Sequence, residues 1–317
     1  MFNRILLPLD RSPLAESVLP HAVALARAFE SQLTLLHVMD TARGSRWRRA
    51  VDPLNWQIRK VEAESYLHDL TLRLQQAGVA AEPRILEGHD AEQIIEFARN
   101  EHTQLIILSS HGQSGMSEWN VSNVVQKIAL RARTGVMIIR ATQSAAPQVS
   151  GLHYRRILVP VDGSQRAESI LPVAATLARA HEAQILLAHI VQPPQMPRRT
   201  PPSREDVELA NRIVERNTVE VTQYLDQLRS QLSGPVEPRV LVSDHVSATL
   251  HELVEQEQSD LVLLSAHGFA SQTRWLYGDV VTSFISYGTT PLLILQDVSP
   301  ERVGTRQAET TAEYARA

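Results

Sequence analysis

Ile5-Leu6-Leu7-Pro8-Leu9-Asp10 returns as Ile157-Leu158-Val159-Pro160-Val161-Asp162, displaced by 152 residues from Asp10 to Asp162. The echo continues: Ala15-Glu16-Ser17 and Leu19-Pro20 match Ala167-Glu168-Ser169 and Leu171-Pro172, and Leu25-Ala26-Arg27-Ala28 matches Leu177-Ala178-Arg179-Ala180. Leu105-Ile106-Ile107-Leu108-Ser109-Ser110-His111-Gly112 returns as Leu261-Val262-Leu263-Leu264-Ser265-Ala266-His267-Gly268, displaced by 156 residues from His111 to His267. Copies of about 150 residues are far larger than solenoid repeats, so each is expected to be a domain with its own core. The expected division is residues 1–143, a linker at 144–153, residues 154–298 and a flexible tail at 299–317.

Within each copy, short β-branched or Leu-rich runs alternate with longer stretches of helical period. The first half predicts strands at 3–9, 32–38, 79–86, 104–109 and 136–140. Its helices are expected at 12–29, 54–76, 90–100 and 122–132. Ser12-Pro13 reads as an N-cap and first helical residue, and Pro20, echoed by Pro172, should kink the helix that follows. The second half predicts strands near 156–161, 184–190, 236–242, 260–265 and 291–296, with helices near 165–180, 204–231, 247–257 and 279–287. This alternation implies an α/β fold of two tandem, doubly wound, five-stranded parallel sheets. With strand order 3-2-1-4-5, a ligand belongs at the switch between strands 1 and 4, beyond their carboxyl ends. The repeated Asp10/Asp162 and His111-Gly112/His267-Gly268 mark those two ends.

The 317 residues are 43% hydrophobic and 21% charged, with 31 Lys plus Arg against 35 Asp plus Glu, a net charge of −4. A chain without a basic excess is a poor partner for nucleic acid. The Arg43–Arg49 run around Trp47 reads as a solvated loop. Without cysteine, there is no disulfide, thiolate nucleophile or Cys-ligated metal, which fits a cytoplasmic protein. No apolar run approaches the ~18–20 residues of a membrane span, and the first strand, broken by Asp10 and Arg11, does not read as a signal peptide. The twelve histidines show no metal-type spacing, so no metal site is expected.

Taken together, these residues resemble the universal stress protein family in a tandem, two-domain form. That family opens with an apolar strand ending Pro-x-Asp, as in Pro8-Leu9-Asp10 and Pro160-Val161-Asp162. Its second strand ends in a His-Val-type pair, as in His37-Val38 and His189-Ile190. The resemblance implies an adenine nucleotide alpha hydrolase-like fold and, in ATP-binding members, a loop G-x2-G-x9-G-[S/T] after strand 4. Glycines there let backbone approach phosphate, and helix-terminal N–H groups donate to it. Here the first-half anchors are Ser109, Gly112, Ser122 and Asn123; those of the second half are Ser265, Gly268, Gly278 and Asp279. Gly115 adds a flexible point, and Gly88 matches a glycine often found beside the nucleotide, with Ser243 or Asp244 as its counterpart.

By that resemblance the first half is the candidate ATP site, lined by Pro8, Asp10, Val38, Gly88, His111, Gly112, Gly115, Ser122 and Asn123, with Mg²⁺ arriving on the phosphates. Pro160, Asp162, Ile190, His267, Gly268 and Gly278 form a second, degenerate site, in which the Asp279 carboxylate stands where phosphate would. Other roles remain open for several of these residues. Asp10 and Asp162 also suit turns or helix caps, and His111 and His267 suit loop shaping. His37 and His189 suit hydrogen-bonded core positions, and Trp119 and Trp275 suit packing on the sheet. Three functions stay open: a nucleotide-binding regulatory module in stress adaptation, a slow nucleotide hydrolase, and a scaffold acting through protein contacts. No lysine-bearing phosphate loop or Arg clamp supports fast hydrolysis. Family members pair through the last strand, so the two halves should meet through 136–140 and 292–296 with pseudo-two-fold symmetry. A further homodimer is compatible with this pattern.

Overall fold

The fold comes from a computed structural model describing residues 1–39, 53–112, 121–140, 149, 151–194, 203–268 and 277–296. The first half runs β1 (Arg4–Pro8), a 3-10 turn (Ala15–Val18), α1 (Leu19–Phe29), β2 (Gln32–Met39), α2 (Pro53–Gln76), β3 (Ala81–Glu87), α3 (Asp90–Asn100), β4 (Leu105–Ser109), α4 (Asn123–Arg131) and β5 (Gly135–Ile139). The second half runs β6 (Arg156–Pro160), α5 (Gln165–Glu168), α6 (Leu171–His181), β7 (Gln184–Val191), α7 (Arg204–Gln231), β8 (Val236–Val242), α8 (Val246–Gln256), β9 (Leu261–Ser265), α9 (Asp279–Tyr287) and β10 (Leu292–Leu295).

Each half has the expected order 3-2-1-4-5, and the two join as one sheet, β3-β2-β1-β4-β5-β10-β9-β6-β7-β8. Pairing is parallel within each half and antiparallel at the joint, where Val136, Met137 and Ile138 stand opposite Ile294, Leu293 and Leu292. The carboxyl ends of the strands in the two halves therefore face opposite rims of the sheet.

Consecutive side chains of a strand face opposite sides. Ile5 and Leu7 enter a core layer with α1, α2, α6 and α7, while Leu6 enters one with α3, α4, α8 and α9. This double burial explains the unbroken apolar runs. Both outer strands carry proline, Pro83 in β3 and Pro238 in β8, which removes a ladder donor from an edge.

Pro20 departs from expectation. The chain makes a separate 3-10 turn before α1, so Pro20 lies in the first turn of α1 and kinks nothing. Pro172 likewise opens α6 after the short α5. A first-turn N–H has no intrahelical acceptor, so proline loses nothing there.

Polar contacts supplement the apolar joint. Half-buried Arg140, just past β5, donates to the carbonyls of Phe284 (2.6 Å) and Ile285 (3.3 Å) at the carboxyl end of α9. Burial lowers its pKa to about 10, still a cation at neutral pH and suited to the negative helix end. In return, the Tyr277 hydroxyl donates to the Ala129 carbonyl at 2.6 Å and accepts from Gln296 at 3.2 Å. Between α1 and the second half, His21 Nδ1 and the Tyr154 hydroxyl are hydrogen-bonded at 2.7 Å.

Candidate functional site

Beyond the last residue of β1, Pro8, the chain turns at Asp10, whose Oδ1 accepts from the Ser12 N–H at 3.0 Å. This side-chain-to-backbone bond folds the β1–α1 connection into an Asx-type turn. Its other oxygen faces Gly112: a Cβ built on Gly112 would lie 2.0 Å from Asp10 Oδ2. The second half repeats the contact, with Asp162 Oδ1 accepting from the Ser164 N–H (3.0 Å) and hydroxyl (2.6 Å) and a Gly268 Cβ falling 2.1 Å from Oδ2. The carboxylate shapes its turn and meets the strand-4 loop, so the turn and crevice readings describe one geometry. A side chain at position 112 or 268 would have to displace that carboxylate, so glycine is the residue that fits the contact as it stands.

The residues that precede α4 and α9 bond back to the ends of β4 and β9. Ser122 N–H donates to the Ser110 carbonyl at 2.8 Å, and Gly278 N–H to that of Ala266 at 3.0 Å. This sets the amino ends of α4 and α9 beside His111-Gly112 and His267-Gly268. Ser122 is the N-cap of α4, its hydroxyl oxygen accepting from the Val125 N–H at 3.4 Å. Asn123 is the exposed first residue of that helix, whose first turn carries no acidic residue. Asp279 holds the same place in α9. Because the positive end of the helix dipole attracts anions, Asp279 satisfies that end itself and repels a second anion.

His37 is buried, and its Nδ1–H donates to the Leu9 carbonyl at 2.7 Å, pinning the end of β1 to β2. Burial lowers its pKa, opposed by that bond. His189 faces the Val161 carbonyl without meeting hydrogen-bond geometry at Nδ1, and burial lowers its pKa too. Buried His111 pairs its Nδ1 with Ser110 Oγ at 3.1 Å, and His267 is equally buried. Half-buried Val38 and Ile190 stand near the ends of β2 and β7, alongside Pro8 and Pro160 at the ends of β1 and β6.

Gly88 (φ +141°) donates its N–H to Met39, as Ser243 does to Val191, each at 3.1 Å. Ser243 is therefore the counterpart of Gly88, and Asp244 is an added residue. The Ser243 hydroxyl oxygen accepts from the His245 N–H and the Thr249 hydroxyl, turned into its own helix start. Gly115, Trp119, Trp275, Arg43–Arg49 and most of Pro193–Pro202 lie outside the described residues.

Sequence reasoning missed one pair beside each crevice. The Tyr224 hydroxyl donates to Glu168 at 2.9 Å near Asp162, and Tyr66 lies near Glu16 and Asp10. Burial first, and then the neighbouring carboxylate, push both phenols well above the usual tyrosine range. Arg73 holds Glu16 at 2.9 Å. The repeated Glu16/Glu168 was visible, but Tyr66 and Tyr224 are displaced by 158 residues and sit in helices that otherwise share little sequence. No group of three or more His, Asp or Glu able to hold a metal occurs among the described residues. Nor is any described helix long and apolar enough to cross a membrane.

A family model described as "Universal stress protein family" matches residues 1–140 and again 153–296. The chain belongs to the universal stress protein family. It is 24% identical over 147 residues to universal stress protein MJ0531 of Methanocaldococcus jannaschii, across 44% of this chain and 83% of that one. It is 27% identical over 149 residues to universal stress protein YxiE of Bacillus subtilis, across 44% of this chain and 100% of that one. A crystal structure of a universal stress protein from Archaeoglobus fulgidus superposes with a TM-score of 0.68 at 16% identity, covering 94% of this chain and 100% of the other. The relatives named first thus match one half of this universal stress protein, whereas the structural likeness spans both and extends to the fold.

Proposed function

We propose that this universal stress protein is a regulatory module that binds ATP or a related adenine nucleotide in its first half, the second half having lost that capacity. The observation that carries the reading is the Asp10–Gly112 contact at the switch point, beside an α4 amino end free of acidic residues in its first turn. The adenosine lies between Asp10 and Val38, near Gly88. The phosphates run over Gly112 toward His111, the Ser122 hydroxyl and Asn123, and Mg²⁺ rides with them. In the second half, Pro160, Asp162, Ile190, His267, Gly268 and Gly278 keep the outline, but Asp279 opposes phosphate. The role in stress adaptation and the cytoplasmic location follow the family reading.

The test is equilibrium binding of labelled ATP to the full chain, with product analysis and a check for nucleotide released on denaturation. Asn123→Asp copies the second half onto an exposed position and should lower affinity about 5- to 30-fold, equivalent to about 1–2 kcal/mol of repulsion. Equal affinity in the variant removes the proposed phosphate position. No binding by the parent protein leaves the scaffold reading, and rapid phosphate release replaces the module with an enzyme.

A further inference from the structure

The two halves differ most informatively where α1 meets α6, far from either crevice. In the first half, Phe2 and Phe29 make an edge-to-face pair at 4.9 Å. Their counterparts, displaced by 152 residues, are Tyr154 and His181, also edge-to-face at 4.9 Å. The second-half pair has kept its shape and acquired polar atoms. Tyr154 uses its hydroxyl on His21 of the other half. His181 does not: both ring nitrogens are buried and have no hydrogen-bond partner. A neutral imidazole carries one donor and one acceptor, so such a group is normally satisfied or marks an unfilled role.

His181 lines a cavity of about 210 Å³ between α1, α6 and the segment leading into β6. Val23, Ala24 and Ala180 supply apolar wall. The ionisable side chains lining it are Arg27, His153 and His181, all basic, with no Asp or Glu among the described lining residues. Arg27 spends one N–H on the Ala77 carbonyl at 2.6 Å, and a guanidinium has five to give. His153 stands edge-on to His181 at 5.5 Å. An apolar cavity of about 150 Å³ accommodates benzene, so this one has room for a ring and a charged group.

We propose that the α1–α6 cavity binds a small carboxylate with an apolar body, its charge turned toward Arg27 and His153 and within the field of His181, whose ring nitrogens lie behind the cavity wall, and its body against Val23, Ala24 and Ala180. Such a ligand bridges the halves, since Arg27 belongs to one and the histidines to the other. The groups facing His181 set the pH dependence. Burial first and His153 second lower its pKa, while Asp260, occupied by the backbone N–H groups of Arg155 and Arg156, raises it. A bound carboxylate favours the imidazolium, so binding tightens as pH falls. His21, pushed down to about 4 by burial, stays neutral throughout.

The probe is labelled benzoate in equilibrium dialysis against the full chain at pH 6, with benzyl alcohol as an uncharged aromatic analogue. Saturable benzoate binding is expected, with benzyl alcohol at least tenfold weaker. Ala180→Leu, at an exposed position that fills the cavity, should abolish it. Arg27→Gln should weaken it about tenfold, as should His181→Phe, which puts there the residue that the first half has at position 29. No saturable binding to the parent protein, equal affinity for benzyl alcohol, or undiminished binding by Ala180→Leu overturns the proposal. The readout is independent of ATP, so its failure leaves the nucleotide reading untouched.

Discussion

Gly112→Ala is a direct test of the crevice geometry. The new Cβ would lie 2.0 Å from Asp10 Oδ2, whereas real Cβ contacts essentially never fall under 3.0 Å, so about 1 Å of retreat is required. The carboxylate is not free to swing, because Oδ1 accepts from the Ser12 N–H that folds the β1–α1 turn. Breaking a hydrogen bond to a charged group costs about 1.5–3 kcal/mol, and overpacking alone about 1–3 kcal/mol. The larger of the two governs, because a single movement relieves the clash and breaks the bond, so about 2–3 kcal/mol is expected. Asp10→Ala removes the colliding oxygen, so Gly112→Ala in that background should cost at least about 1 kcal/mol less. Urea unfolding followed by circular dichroism and by fluorescence measures all four corners of the cycle, with agreement between probes required before free energies are compared. Gly268→Ala with Asp162→Ala repeats the cycle, and Ser164, with two bonds to Asp162, should make that coupling at least as large. Additive effects in both halves would refute the contact, and with it the site.

Three further outcomes follow from the same structure. Arg140→Met should lower stability by about 1.5–3 kcal/mol in urea unfolding, because the Phe284 and Ile285 carbonyls lose a half-buried cation; an unchanged midpoint would dismiss Arg140 as a tie between halves. Asp279→Asn should slightly destabilise the fold, by about 0.3–1 kcal/mol in a thermal melt, while strengthening phosphate binding in the second half; opposite signs in the two assays separate the helix dipole from a general charge effect. His21 has a folded pKa of about 4 against a reference of 6.5, so the unfolded chain takes up the proton first: its contribution is complete above pH 6.5 and is lost as pH falls toward 4, by about 1.4 kcal/mol per unit at most. The His21→Gln variant should therefore lose less stability between pH 6.5 and 4.5 than the parent, and identical acid limbs would remove His21 from that account.

The architecture was legible because strand alternation, burial on both faces and internal repetition all pointed the same way. Leu105–Leu108 could only be a central strand, and the repeated Asp and His-Gly marked the ends that converge. Pro20 was misjudged because a 12–29 apolar period does not show where a 3-10 turn hands over to an α-helix. The counterpart of Gly88 was ambiguous until backbone hydrogen bonds paired Ser243 with it, since an inserted Asp244 hides the register. Arg140, His21 and Tyr154 were illegible for a different reason. The two partners of Arg140 lie 144 and 145 residues away, His21 and Tyr154 are 133 residues apart, and no local period records a contact made across a joint.

The antiparallel seam between β5 and β10 has an outcome that reaches beyond stability. In an assembly of two identical chains, any substitution at such a seam or crevice is made twice, so both sites change together. Here each partner has its own stretch of covalent chain, so an Asp can stand at the start of α9 while an Asn stands at the start of α4. The union also forms at any dilution, with its two members always in a one-to-one ratio. Two halves that differ at such positions can thus share a single sheet, and neither can be present without the other.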